Sequence, residues 1–153
     1  MSNVVIITGM HRSGTSLTAS LLQNAGVNIG NNLIGPEPGN KFGHFEDVDF
    51  NAFHVEILSR LGQNYLVQSP TVIKEITLEE TRKALELIEQ RNEQRAWGWK
   101  DPRTTLFLNF WHSLLKPHAR YVFVYRHPIE VVLSILRRGQ HFDIAALIDP
   151  VDR

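Results

Sequence analysis

The stretch Val4-Val-Ile-Ile-Thr-Gly9-Met-His-Arg-Ser-Gly-Thr-Ser16 decides the fold. Val4 to Ile7 is a short, wholly apolar, β-branched run, the pattern of a strand covered on both faces. It ends at Thr8-Gly9. A helical pattern starts near Thr15, with Leu17, Leu21 and Leu22 read as its apolar stripe, and Asn24-Ala-Gly26 closes it. Strand, glycine loop and helix in that order make a phosphate-binding turn, because backbone N–H groups and the positive end of the helix dipole converge on an anion. Read without its flanks, the loop is also compatible with a simple glycine turn before a helix.

The loop departs from the G-x-x-x-x-G-K-[ST] template in one place. Gly9 and Gly14 hold the glycine positions, but Thr15 stands where the lysine of that template would reach the β- and γ-phosphates. No apolar strand ends in an Asp suited to magnesium, so γ-phosphoryl transfer lacks its usual parts. The positive charge sits instead at Arg12, inside the loop. A planar guanidinium there can bond a bridging oxygen and a terminal anion together.

Outward from this turn the chain alternates strands and helices, which predicts a parallel α/β sheet. Asn28 to Gly43 is rich in Gly, Asn and Pro and reads as a long loop of the kind that carries function. Val48 to Leu61 is a helical pattern with Phe50, Phe53, Ile57, Leu58 and Leu61 on the buried stripe, closed by Gly62. A second helix is expected from Leu78 to Asn92, with Thr77 and Glu80 as a capping box and Leu85 and Ile88 at core spacing. Ala96-Trp-Gly-Trp99 reads as a short strand followed by Lys100-Asp-Pro102, then a helix from Thr104 to Leu115. Tyr121 to Tyr125 is the clearest later strand, and Pro128 opens a helix carrying Val131, Val132, Ile135 and Leu136.

The bulk numbers narrow the function classes. With 153 residues, 42% of them apolar, the chain is expected to form one domain spanning residues 1–153. Sixteen basic and sixteen acidic residues cancel, which argues against nucleic acid or a membrane surface as partner. The absence of cysteine removes thiolate metal sites and a cysteine nucleophile. His112 and His118 have no metal-ligand spacing with a partner, and no metal is expected. The N-terminus lacks the basic region and apolar length of a signal peptide, so a cytoplasmic chain is the expectation.

A second anion site is indicated by Arg126, at the end of the Tyr121–Tyr125 strand, and Ser134, eight residues on in the next helix. The carboxyl edge of a parallel sheet is where such folds bind ligands. The two could share one phosphate beside the first loop, although Arg126 alone also reads as a surface or helix-capping charge.

These residues together resemble the sulfotransferases that use 3′-phosphoadenosine 5′-phosphosulfate (PAPS). In that family a loop of the type [RK]-[SG]-G-T-[TS], here Arg12, Ser13, Gly14, Thr15 and Ser16, grips the 5′-phosphosulfate. A strand-end Arg with a Ser eight positions later, here Arg126 and Ser134, takes the 3′-phosphate. Lys100-Asp-Pro102 resembles the tyrosylprotein branch, where the corresponding Lys steadies the transferring sulfuryl group. The likeness runs from about Val4 to Arg138. It implies a P-loop NTPase-like three-layer α/β/α fold and metal-free in-line sulfuryl transfer to a hydroxyl or amine, leaving 3′-phosphoadenosine 5′-phosphate (PAP). Arg12 and Lys100 would neutralise the developing charge.

A base must take the acceptor proton, and the candidates lie in Gly43-His-Phe-Glu-Asp47. Related branches use Glu or His here. Glu46 is preferred and His44 is second, with Glu37 an outsider; Glu46 and Asp47 could equally complement a helix N-terminus. Trp97 and Trp99 could stack on a substrate, but core packing is the expected role. The family normally continues past the 3′-phosphate helix, so the chain, ending at Arg153, is expected to lack the adenine-holding segments, and a homo-oligomer is one source of missing surface. Ile144, Ala145, Leu147 and Ile148 would form an apolar stub there. The acceptor is expected to be a small or carbohydrate-like molecule. A small-molecule kinase with a divergent loop and a non-catalytic nucleotide-binding module are the competing expectations.

Overall fold

The computed structural model describes residues 3–36, 42–64 and 73–137. Glu37, Arg138 and the Ile144–Ile148 stripe lie outside the described residues. Strand β1 (Asn3–Gly9) is followed by helices α1 (Thr15–Asn24), α2 (Val48–Arg60) and α3 (Leu78–Arg91). Then come β2 (Ala96–Lys100), a 3-10 helix (Pro102–Phe107), α4 (Leu108–Leu115), β3 (Ala119–Val124) and α5 (Pro128–Arg137). The sheet is parallel with order β2-β1-β3, as strands separated by helices require. The apolar run at the front is therefore the central strand.

Alternation along β1 sorts the core into two clusters. Val4 and Ile6 face an aromatic cluster of Phe50, Phe53, Trp97, Trp99, Phe107 and Trp111, roofed by α2, α3 and α4. Ile7, with Val5 beside it, faces Ala19 and Leu22 of α1 together with Ile29. Helices thus cover both sheet faces. In the aromatic cluster Phe50 stacks on Trp99 at 4.2 Å between centroids, and both indoles of β2 are fully buried, so packing is the role of Trp97 and Trp99. Gly98 between them is required by the close approach of β1, because a Cβ there would collide with the Val5 carbonyl.

Three expected apolar faces are corrected. Helix α1 buries Thr15 and Ala19, with Leu22 partly covered, whereas Leu17 and Leu21 are 66% and 61% exposed. At 100° per residue Leu17 and Leu21 lie opposite Ala19, so the stripe had merged two faces. Helix α3 packs through Ala84, Leu87 and Ile88 and turns Leu85 outward. Helix α5 buries Val131, with Ile135 half-buried, and exposes Val132 and Leu136. The helix expected from Thr104 begins instead as the 3-10 segment at Pro102, because the Asp101 carboxylate accepts from the Arg103 N–H and proline fits the first turn. The capping box at Thr77 and Glu80 forms as expected, with both reciprocal bonds present. No helix among the described residues is long and apolar enough to cross a membrane.

Candidate active site

All three parallel strands deliver their carboxyl ends to one edge: Gly9 into the loop, Lys100 into Asp101 and Pro102, and Val124 toward Arg126. Gly9 has φ 146°, and a Cβ there would strike the Val124 carbonyl, so the loop leaves β1 tight against β3. Arg12 is in the left-handed region at φ 67°, uncommon for a residue with a side chain and a frequent mark of functional turns. Ser13 Oγ donates to the Met10 carbonyl at 2.6 Å, closing the loop on itself. Ser16 Oγ donates to the His44 carbonyl at 3.1 Å and ties the loop to the segment before α2.

That segment is ordered by pairing, which a reading of Asn28–Gly43 as one long loop did not show. Ile34 donates its N–H to the Glu46 carbonyl at 2.8 Å, His44 to the Ile34 carbonyl, and Val48 to the Asn32 carbonyl. Asp47 caps α2, accepting from Asp49 and Phe50, and is gripped by Arg91 at 3.1 Å. Glu46 is thereby fixed one residue ahead of the helix cap.

The expected site residues gather in two groups. In the first, Arg12 Nε donates to Ser134 Oγ at 3.1 Å, and Arg126 Nη1 donates to the Arg12 carbonyl at 3.3 Å. Arg126 also pairs with Glu130 at 2.7 Å on the exposed side. In the second, Lys100 Nζ and Glu46 Oε1 form a buried ion pair at 2.7 Å. Arg12 thus reaches toward Ser134, while Lys100 pairs with Glu46. His44 joins the site through its backbone, by the bonds to Ser16 and Ile34. Gly14 and Thr15 form the entry to α1, with Gly14 left-handed at φ 107° and Thr15 buried.

Besides Asp101 of the Lys100-Asp-Pro102 segment, five residues that the sequence reading passed over complete the second group. Asn51 Nδ2 and Arg103 Nη1 donate to Glu46 Oε2 at 2.9 and 3.3 Å. Arg103 also donates to Asp101 Oδ1, from its backbone N–H at 2.8 Å and from Nη1 at 2.9 Å. Asp101 Oδ2 lies 2.9 Å from His54 Nδ1, and Trp111 Nε1 donates to His54 Nε2 at 2.9 Å. An indole nitrogen only donates, so Nε2 is the bare nitrogen and Nδ1 carries the hydrogen toward Asp101. His11, inside the loop, is the fifth.

Burial and charge set their ionisation. Burial pushes His11 down to about 4, reinforced by the Arg103 charge. Lys100 is also lowered, because burial outweighs the attraction of Glu46. Burial opposes a charge on Asp101, but the His54 bond and the Arg103 guanidinium prevail and hold it below its ordinary value. Arg103 is raised in turn: desolvation is overcome by Asp101 and Glu46. The signals for these residues were present. His54 breaks the apolar stripe of α2, Asn51 lies one turn after Glu46, and Arg103 extends Lys100-Asp-Pro102 into a charged tetrad.

A parallel α/β sheet with a glycine loop at its carboxyl edge, flanked by Arg12 and Arg126 on one side and the Lys100–Glu46 pair on the other, has the form in which such folds bind ligands. The model of the Sulfotransferase family matches residues 4–148, and the chain belongs to that family. Neither the curated proteins nor the solved structures compared with it give a match.

Proposed function

We propose that this chain transfers a sulfuryl group from PAPS to a hydroxyl or amine of a small or carbohydrate-like acceptor in the cytoplasm, on a P-loop NTPase-like framework. The observation that carries the reading is the adjacency, along one sheet edge, of the Arg12–Ser134–Arg126 group and the Lys100–Glu46 pair. The 5′-phosphosulfate lies against Ser13 to Ser16 at the start of α1, where the helix dipole favours an anion. The 3′-phosphate takes Arg126 and Ser134, and Arg12 spans from the loop to Ser134.

In the transfer, the acceptor oxygen forms a bond to sulfur as the bond from sulfur to the bridging phosphate oxygen breaks. PAP leaves with that electron pair, and the acceptor proton passes to Glu46. Lys100 neutralises charge on the sulfuryl oxygens, and no metal is required for this step. One such donor is worth roughly 10² to 10³ in rate. His44, half-buried beside Ser16, is the second candidate for the base.

Thermal-shift titration tests the donor: PAP should stabilise the protein, and stabilisation by ATP with magnesium but not by PAP would overturn the assignment. A transfer assay tests the chemistry. Arg12→Ala, Glu46→Ala and Lys100→Ala should each lose turnover by about 10²-fold or more. Wild-type turnover in all three would refute the site.

A further inference from the structure

The two oxygens of Glu46 have different partners. Among the described residues Oε1 meets Lys100 alone, at 2.7 Å, whereas Oε2 is held by Asn51 at 2.9 Å and Arg103 at 3.3 Å. Arg103 is itself anchored twice on Asp101, and Asp101 is fixed from the core through His54 and Trp111. The three inner members, Asp101, His54 and Trp111, are at most 1% exposed. Arg103 is thus pinned at both ends of its contact with Glu46, whereas Lys100 meets the carboxylate by one ammonium on a four-carbon stem.

We propose that Asn51 and Arg103 are positioning residues that hold Glu46 by Oε2, and that Lys100 is an exchangeable partner of Oε1, leaving that oxygen for the sulfuryl donor and freeing it as the base. The inference rests on the reading of Glu46 as base. In the free protein Oε1 is occupied by the ammonium, so the proton acceptor is masked. When a sulfuryl group brings its own negative oxygens to the site, the ammonium has a second anion to bond. Its transfer to those oxygens leaves Oε1 with an unpaired acceptor position, while Oε2 keeps both donors and the carboxylate does not rotate away. The acceptor O–H proton then goes to Oε1, the acceptor oxygen bonds to sulfur, and the bridging oxygen leaves on PAP. Masking and activation are thus separate tasks given to separate oxygens.

The charged and titratable groups around the carboxylate are Lys100 of β2, Asp101 and Arg103 at the 3-10 helix, and His11 of the loop. Removing Arg103 takes away one of the two donors that fix Oε2 and leaves the carboxylate to Asn51 and Lys100.

The test compares Asn51→Ala, Arg103→Ala, Arg103→Lys and Glu46→Gln by steady-state transfer kinetics from PAPS, with PAP affinity measured for each. Asn51→Ala and Arg103→Ala should lower kcat by about 10²-fold with PAP affinity and donor KM within about threefold of wild type, the signature of a misaligned base. Arg103→Lys, which keeps a cationic donor for Oε2, should recover most of the kcat that Arg103→Ala loses. If Arg103→Ala does not fold, Asn51→Ala, half-buried on helix α2, carries the same kcat test. Wild-type kcat in Asn51→Ala, or no rescue by Arg103→Lys, while Glu46→Gln is inactive, would overturn the proposal and leave the base intact. Full turnover in Glu46→Gln would overturn the base itself.

Discussion

His11 should make the fold acid-sensitive in a pH range where ordinary carboxylates contribute little. Its pKa is near 4 in the folded chain and 6.5 as the reference value. The unfolded chain therefore takes up a proton between those values that the native state refuses, and stability falls as pH falls. The full separation corresponds to about 3 kcal/mol once the pH is well below 4. Between pH 7 and pH 5 the same two values give a loss of about 2 kcal/mol. The assay is urea unfolding of wild type and His11→Asn at both pH values, taking the difference of differences so that other titrating groups cancel. Wild type should lose about 2 kcal/mol more than the variant on acidification. Equal losses, or a His11 ring that titrates near 6.5 by NMR, would refute the reasoning that burial and the Arg103 charge keep this imidazole neutral.

Other substitutions probe the scaffold. Asp101→Asn should cost about 1 to 3 kcal/mol, since one of its two faces must then point an amide donor at the donors of His54 or Arg103. Trp111→Phe frees the His54 tautomer, so the double variant should be less destabilised than the sum by about 1 kcal/mol in urea unfolding; additivity would argue against the tautomer. Gly98→Ala should lose about 3 kcal/mol or more by denaturant unfolding, because its Cβ meets backbone of β1 rather than a side chain that can yield. Thr77→Ala breaks the capping box of α3 and should cost about 1 kcal/mol in the same measurement, with activity unchanged.

The elements that sequence made legible are those where one local signal suffices. β1 shows as an uninterrupted β-branched run, and α3 starts at its capping box. The faces of α1, α3 and α5 were less legible, because leucines fall on both sides of these helices and only tertiary contact shows which side the sheet takes. For α1 the sheet took the small residues Thr15 and Ala19. In the site, Arg12, Arg126 and Ser134 were recognisable from motif spacing and Lys100 and Glu46 from the family resemblance, and the structure brings them to one edge. The pairings were not legible, since the bonds joining Glu46 to Lys100 and His54 to Asp101 cross 54 and 47 residues of chain. No periodicity reports a contact of that range. His54 reads locally as a misplaced polar residue on an apolar stripe, and only Trp111 and Asp101 explain it.

The charges divide in a way that bears on the chemistry. The inner group holds two carboxylates, Glu46 and Asp101, against two cations, Lys100 and Arg103, and is balanced without any ligand. Buried ions are tolerable only when paired and bonded in this manner. A donor carrying several negative charges would therefore find no surplus cation there. The outer group brings two guanidinium groups together at the loop: Arg12 bonds Ser134 Oγ, and Arg126 bonds the Arg12 carbonyl and the exposed Glu130. Affinity for an anionic donor is thus expected from the outer group, and the inner group can change partners without changing its net charge. On the proposed exchange, a bound sulfuryl group that draws Lys100 away would leave Glu46 still paired with Arg103, so the movement strands no buried carboxylate without a cation.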